Sequence, residues 1–125
     1  MSFYFYLIYL FISAKEINEI GEKLLGSKWI GVFPLNKIPV LKSGGLIVNT
    51  DPHTLPGEHW IAIYINKYEI NVFDPLGFYY PDLLVKTLMK GRQNRNIIYN
   101  QTQYQDWDTN TCGQYCLIWL KEMTL

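Results

Sequence analysis

The stretch His59–Asn66, His-Trp-Ile-Ala-Ile-Tyr-Ile-Asn, is the strongest strand signal in the chain and decides the fold. Apolar residues occupy both alternating faces, which predicts a strand that is covered on both sides. Lys67-Tyr68 follows as a tight turn, and Glu69–Phe73 returns as a second strand. Asp74–Gly77 ends this strand because proline cannot continue a central ladder. The chain is therefore built around an antiparallel hairpin.

The turn determines which residues of the hairpin face each other. With a two-residue turn after Asn66, that residue pairs with Glu69, and counting back along both strands places Ile61 opposite Asp74. Side chains alternate along a strand, so His59 shares the face of Ile61 and Asp74. His59 and Asp74 are then diagonal neighbours, about 7–8 Å apart between Cα atoms, within reach of an imidazole–carboxylate hydrogen bond. A slip of one residue would separate them onto opposite faces.

Periodicity and turn residues predict the elements around the hairpin. We expect a helix between a Ser13 cap and Gly26, further helices over 81–90 and 111–123, strands over 45–49 and 97–99, and loops over 31–39 and 51–57. This order predicts an α+β fold with a small, mainly antiparallel sheet. The 125 residues correspond to one domain.

Composition and charge exclude several classes. The chain is 49% hydrophobic, which argues against disorder, and its eleven basic and eleven acidic side chains cancel. Charge therefore implies neither a nucleic-acid partner nor an acidic membrane surface. The densest basic cluster is interpreted as a solvated helix end: Lys86, Lys90, Arg92 and Arg95.

The two cysteines, Cys112 and Cys116, lie four residues apart. At helical spacing they share a face of one helix, which does not suit a disulfide framework. With only His53 and His59 nearby, the pair also lacks the short ligand spacings of a zinc site, so we expect no metal and no cofactor. A reducing, intracellular setting is expected rather than secretion.

The termini leave alternatives open. Phe3–Ile12 is an almost unbroken apolar run, shorter than the about 20 residues that span a bilayer and without the basic residues of a secretory signal. Residues 1–14 are interpreted as a buried element, a non-native extension or a membrane-associating segment. The chain stops soon after the last helix, so its C-terminus is interpreted as truncated.

Cys112 is the predicted nucleophile. Asp108, Thr109 or Asn110 can cap the helix that follows, and a cysteine at a helix N-terminus has its thiolate stabilised by the helix dipole and free N–H groups. Gly113 leaves room for a substrate backbone. Cys116, one turn further along, is interpreted as a small core residue.

Four segments carry a resemblance to a known family. Gly57–Ala62, Val72–Phe78, Gln105 and Thr111–Cys116 resemble the adenovirus protease (adenain) and its relatives in large DNA viruses, virophages and Maverick-type transposons. The ubiquitin-like-protein proteases are more distant. The similarity runs over residues 49–120, with the order His, acid, Gln, Cys. It implies a papain-like cysteine protease fold in which the nucleophile opens a helix packed on the sheet.

The resemblance also implies roles for individual residues. His59 matches the general base, Asp74 the third member of the triad, Cys112 the nucleophile and Gln105 the oxyanion-hole glutamine. Gln101 and Gln103 compete with Gln105 for its role. Trp60 and Gly113 are expected to border a narrow substrate channel.

The predicted function is endoproteolysis of viral or transposon structural precursors, in the cytoplasm or nucleus of a host cell or in a virion. The implied partner is a polypeptide substrate, either such a precursor or a ubiquitin-like protein. Three alternatives remain open: a deubiquitinating or deSUMOylating isopeptidase, an acyltransferase with the same triad, and an inactive remnant that binds a partner. Taken singly, His59 suits a strand start and Asp74 a turn before proline. Their shared face, together with Cys112-Gly113, favours the catalytic interpretation.

Overall fold

The computed structural model describes residues 12–50, 59–77, 80–102 and 112–125. Within these residues, the strands and helices are β1 (Trp29–Pro34), β2 (Gly44–Asn49), β3 (Trp60–Ile65), β4 (Glu69–Phe73), β5 (Asn96–Tyr99), α1 (Ala14–Leu25), α2 (Asp82–Gly91) and α3 (Cys112–Met123). Short 3-10 turns follow α1 and β1, at Gly26–Lys28 and Leu35–Lys37.

The five strands form one sheet in the order β1-β2-β3-β4-β5. The predicted hairpin register is confirmed, because Ala62 pairs with Phe73 and the N–H of Asn66 donates to the carbonyl of Glu69 at 3.0 Å. The α+β class is confirmed as well. The sheet is more mixed than predicted: β2–β3 and β3–β4 are antiparallel, whereas the outer pairs β1–β2 and β4–β5 are parallel. Each outer pair is joined by a crossover, residues 35–43 and α2, as parallel strands require.

The predicted loop over 31–39 is wrong in its first part, which forms strand β1. Its proline and glycine were misleading because both are tolerated on an edge strand. Pro34 is the last residue of β1, where a missing N–H does little harm. Gly31 has φ +145° and lies at an irregularity in the pairing with β2, between Trp29 and Gly31.

Helices cover both faces of the sheet, as the apolar pattern of β3 predicted. On one face, α1 and α3 pack through residues such as Ile17 and Leu117 against Ala62 and Phe73. On the other face, α2 buries Leu84 and Leu88 against the odd-numbered side chains of β3. Two hydrophobic layers therefore fix the sheet from above and below, and α3 approaches it along β3.

Helix α1 begins and ends where predicted. Ser13 caps it in a reciprocal capping box with Glu16, and Gly26 ends it with φ +58°. Of the apolar run at 3–12, Ile12 is buried in the core beside α1 and the rest lies outside the described residues. Among the described helices, none is long and apolar enough to cross a membrane.

Three residues of the basic cluster are exposed to solvent, and the fourth forms a hydrogen bond within the protein. Lys86, Lys90 and Arg92 are exposed on and after α2, as expected for a solvated helix end. Arg95 differs, because its Nε donates to the carbonyl oxygen of Asn66 at 2.8 Å.

Candidate active site

Asp74 follows β4 in a tight turn that orients its carboxylate. The Gly77 N–H donates to the Asp74 carbonyl at 2.8 Å, and the Leu76 N–H donates to Asp74 Oδ1 at 3.0 Å. Gly77 has φ +89°, a conformation that favours glycine. The Asp74 side chain is completely buried. The Asp-Pro-Leu-Gly sequence thus ends the strand and holds an acid at its end.

Two residues hold this turn in place: Asn100, which directly follows β5, and Tyr80, which lies just before α2. The Asp74 N–H donates to Asn100 Oδ1 at 2.8 Å. Tyr80 Oη lies 2.6 Å from both the backbone and the side-chain oxygen of Asn100, so its hydroxyl can donate to either. Burial raises the pKa of Tyr80 far above its usual value, so it remains a neutral donor. Neither residue was predicted from the sequence. Asn100 reaches Asp74 because β5 runs parallel to β4, and Tyr80 acts through Asn100.

His59 directly precedes β3 and meets Asp74 as the register predicted. Its Nε2 lies 2.8 Å from Asp74 Oδ1, and its side chain is 14% exposed. Burial lowers the pKa of His59, but hydrogen bonds and charge attraction from Asp74 and Cys112 outweigh this and raise the pKa from 6.5 to about 9. The imidazole is therefore a cation at neutral pH, held between a carboxylate and a thiol.

Cys112 is the first residue of α3 and is nearly buried, at 3% exposure. Its Sγ accepts a hydrogen bond from the backbone N–H of Trp60 at 3.4 Å, and it also interacts with the His59 ring. The first N–H groups of a helix have no partner within the helix, and the helix dipole is positive at that end. The His59 imidazolium and the N-terminus of α3 therefore both place positive charge beside the Cys112 sulfur.

Cys116 lies one turn further along α3 and is completely buried. Its Sγ donates to the carbonyl oxygen of Trp60 at 3.3 Å. Burial raises the pKa of the Cys116 thiol well above its usual value, as do the nearby charges of Cys112 and Asp74. This environment keeps the thiol protonated and suits the predicted core residue.

Trp60 and Gly113 are more deeply packed than a channel lining requires. A Cβ added to Gly113 would lie 2.9 Å from Ile17 Cδ1 and 3.3 Å from Trp60 Cδ1, so this glycine permits close packing of α3. Trp60 is buried, yet it also lines a groove of about 550 Å³ between α1 and β1 that includes Asn18. Their roles in substrate binding stay predictions.

The structure brings together three of the four predicted catalytic residues. Gln105 and its competitor Gln103 lie outside the described residues, as does His53. Gln101 is exposed and borders a cavity of about 530 Å³ with Tyr80 and Tyr99. Within the described ranges, no group of three or more His, Cys, Asp or Glu side chains is arranged to hold a metal ion.

Sequence comparison gives the site a context. Over 104 aligned residues the chain is 29% identical to a protein named "Protease" from Bovine adenovirus 7, and the alignment covers 70% of this chain. The chain resembles an adenovirus protease. It spans about half of that relative, 50% of its length, and no protein-family model matches the chain. The resemblance that the motifs indicated is confirmed.

Two crystal structures of the ASFV pS273R protease share the fold. One superposes with a TM-score of 0.67 at 15% identity, covering 89% of this chain and 56% of the viral chain. The other, of the selenomethionine protein, has a TM-score of 0.55 at 21% identity and covers 64% of this chain and 34% of the viral chain. At this level of identity the likeness concerns the fold, and it supports the predicted papain-like architecture.

Proposed function

We propose that this protein is a cysteine endopeptidase in which Cys112 is the nucleophile, His59 the general base and acid, and Asp74 the group that orients His59. One observation carries the proposal: His59 lies between the Asp74 carboxylate, 2.8 Å from its Nε2, and the Cys112 thiol at the start of α3. The protease relatives agree with this chemistry.

The three residues divide the reaction into two steps. The Cys112 thiolate attacks the peptide carbonyl carbon, and the imidazolium of His59 then donates its proton to the leaving amine. This leaves a thioester on Cys112 and a neutral imidazole. His59 next removes a proton from water, and the hydroxide attacks the carbonyl carbon of the thioester. The C–S bond breaks, the carboxylic acid product leaves, and the Cys112 thiolate and the imidazolium of His59 are restored. Asp74 keeps the ring oriented and stabilises its charged form throughout.

The oxyanion of the tetrahedral intermediate needs hydrogen-bond donors. The backbone N–H of Cys112, at the start of α3, is one proposed donor. Gln105 is the proposed second donor, seven residues before the nucleophile. Removing one such donor typically lowers kcat by about 10²–10³-fold.

The proposed substrates are polypeptide precursors of viral or transposon structural proteins, cleaved after small residues such as glycine. Trp60 and Gly113 are the proposed borders of the substrate channel. The proposed setting is a reducing compartment of the host cell or a virion, rather than the outside of the cell.

Turnover of fluorogenic peptides with glycine before the scissile bond tests the proposal. We expect no turnover for Cys112→Ala and a loss of about 10²–10⁴-fold for His59→Ala, the range for general acid–base catalysis. Lys90→Ala, an exposed change on α2 across the sheet, is the matched control and retains activity. Full activity of Cys112→Ala would remove the mechanism.

Two further measurements separate the alternatives. Cys112 should react with iodoacetamide near neutral pH much faster than an ordinary thiol, whereas ordinary reactivity with no turnover would indicate a remnant that only binds a partner. Labelling of Cys112 by ubiquitin- or SUMO-based electrophilic probes, without cleavage of the glycine peptides, would instead assign an isopeptidase.

A further inference from the structure

The peptide unit of Trp60 lies between the two cysteine sulfurs. Its N–H donates to Cys112 Sγ at 3.4 Å, and its carbonyl oxygen accepts from Cys116 Sγ at 3.3 Å. Both bonds are buried and join β3 to α3. One strand residue therefore contacts both the proposed nucleophile and the core thiol through its backbone.

The register of the hairpin explains why these backbone groups are available. Alternate residues of β3 direct their N–H and C=O toward β4, and the last pair of that ladder joins Ala62 to Phe73. Two residues further along, Trp60 falls opposite Pro75. Proline has no N–H to offer the Trp60 carbonyl, and the turn at Asp74 carries the chain away. The two sulfurs of α3 form the hydrogen bonds to the Trp60 peptide that a longer β4 would otherwise form.

Cys116 suits the role of a permanent donor. Its side chain is 0% exposed, in a layer formed by Ala62, Phe73 and Leu117. A buried carbonyl without a donor is unfavourable, and the thiol supplies that donor. Its raised pKa keeps the S–H proton in place over the working pH range.

We propose that Cys116 is a positioning residue for the nucleophile, which holds the Trp60 peptide so that its N–H points at Cys112 Sγ and stabilises the thiolate. The inference rests on the proposed function, in which Cys112 attacks as the thiolate. An N–H bonded to an anionic acceptor is stronger than one bonded to a neutral acceptor, so this contact favours the reactive form.

The test compares Cys116→Ser with Cys116→Ala, which differ by one hydroxyl donor and leave Cys112 as the only cysteine. The rate of alkylation of Cys112 by iodoacetamide is measured from pH 5 to pH 10. We expect Cys116→Ser to keep a profile close to that of the natural protein. For Cys116→Ala we expect about tenfold slower alkylation at neutral pH and a profile moved to higher pH. For turnover, kcat falls and KM is unchanged, because no substrate contact is altered.

The titratable groups around the sulfurs are the same in both variants. His59, Asp74 and Tyr80 lie near the pair and are unaltered in both variants, so they contribute equally to both profiles. Should Cys116→Ala fail to fold, Cys116→Thr and Cys116→Val provide a second pair with matched shape, of which only threonine donates.

The outcomes separate this inference from the proposed function. Identical profiles for the donor and non-donor variants, both far more reactive than a His59→Ala protein, would overturn the role of Cys116 and leave the protease intact. Ordinary thiol reactivity of Cys112 in the natural protein would overturn the proposed function itself.

Discussion

The two ends of the β3–β4 hairpin use the same backbone in different ways. At the turn end, Asn66 completes the structure: its Oδ1 accepts the N–H groups of Tyr68 and Glu69 at 2.9 and 2.8 Å, and its carbonyl accepts from Arg95. At the open end, defined here as His59-Trp60 with Asp74-Pro75, the ladder stops early. There, Cys112 and Cys116 of α3 bond to the Trp60 backbone, and the Asn100 side chain accepts the Asp74 N–H.

This difference shows how one supersecondary unit supplies both stability and a site. The Asn66 side chain at the turn end bonds to N–H groups two and three residues away, and the Asn66 carbonyl bonds to Arg95, 29 residues away. At the open end, the bonds from Asp74 to Asn100 and from Trp60 to Cys112 and Cys116 span 26, 52 and 56 residues. The proposed catalytic residues meet at the open end, so changes at the turn end should affect folding and changes at the open end should affect reactivity.

The largest expected effect is that of Asp74→Asn. This nearly isosteric change keeps the buried shape but removes the charge that orients His59, so we expect kcat to fall by about 10²–10⁴-fold with the fold intact. Asn66→Ala at the turn end is the matched control. It should lower the free energy of unfolding by about 1–3 kcal/mol and leave kcat/KM unchanged. Comparable losses of activity in both variants would contradict the expectation that only the open end affects catalysis.

A second effect concerns pH and the open end alone. The folded pKa of His59, about 9, lies above its ordinary 6.5, so folding is favoured by the bound proton. This stabilisation is complete below pH 6.5 and is lost as pH rises to about 9. The change amounts to about 3 kcal/mol at 1.36 kcal/mol per pH unit.

Urea denaturation between pH 6 and pH 10 measures this effect as the difference in unfolding free energy between the natural protein and His59→Gln. We expect the difference to shrink as pH rises and Asn66→Ala to follow the natural protein. A difference that stays constant over the range would show that His59 is not held as a cation.

The smallest expected effect is on stability and tests the close packing of α3 against α1. Gly113→Ala places a Cβ 2.9 Å from Ile17 Cδ1, and overpacking of this kind costs about 1–3 kcal/mol, partly offset by the better helix propensity of alanine. Ile17→Val removes the clashing methyl. In a double-mutant cycle we expect the pair to be less destabilised than the sum of the single changes, and strict additivity would contradict the close approach of α1 and α3.

Much of the site was predictable because its acid and base belong to one hairpin. A two-residue turn and strict alternation were sufficient to place His59 beside Asp74, since both rules act locally along the chain. Cys112 was indicated by its position at a helix start. The catalytic roles of these residues stay predictions until the variants are assayed.

Other features could not be predicted from local patterns. Strand β1 contains Gly31 and ends at Pro34, and only its position at the edge of the sheet makes both acceptable. The donor to the Cys112 sulfur is the backbone N–H of Trp60, whose availability depends on how far β4 extends. The support of Asp74 by Asn100 requires β5 to run parallel to β4. All three follow from tertiary placement.

Because the hairpin and α3 are far apart in sequence, the parts of the proposed site are expected to assemble at different times during folding. Hairpins close within about 1–10 μs, whereas docking of α3 onto β3 joins residues 52 apart at Trp60 and Cys112 and is expected later. A partly folded molecule would then hold His59 and Asp74 together before Cys112 reaches them. In the proposed mechanism such a molecule has no nucleophile in place, and we expect it not to cleave peptides.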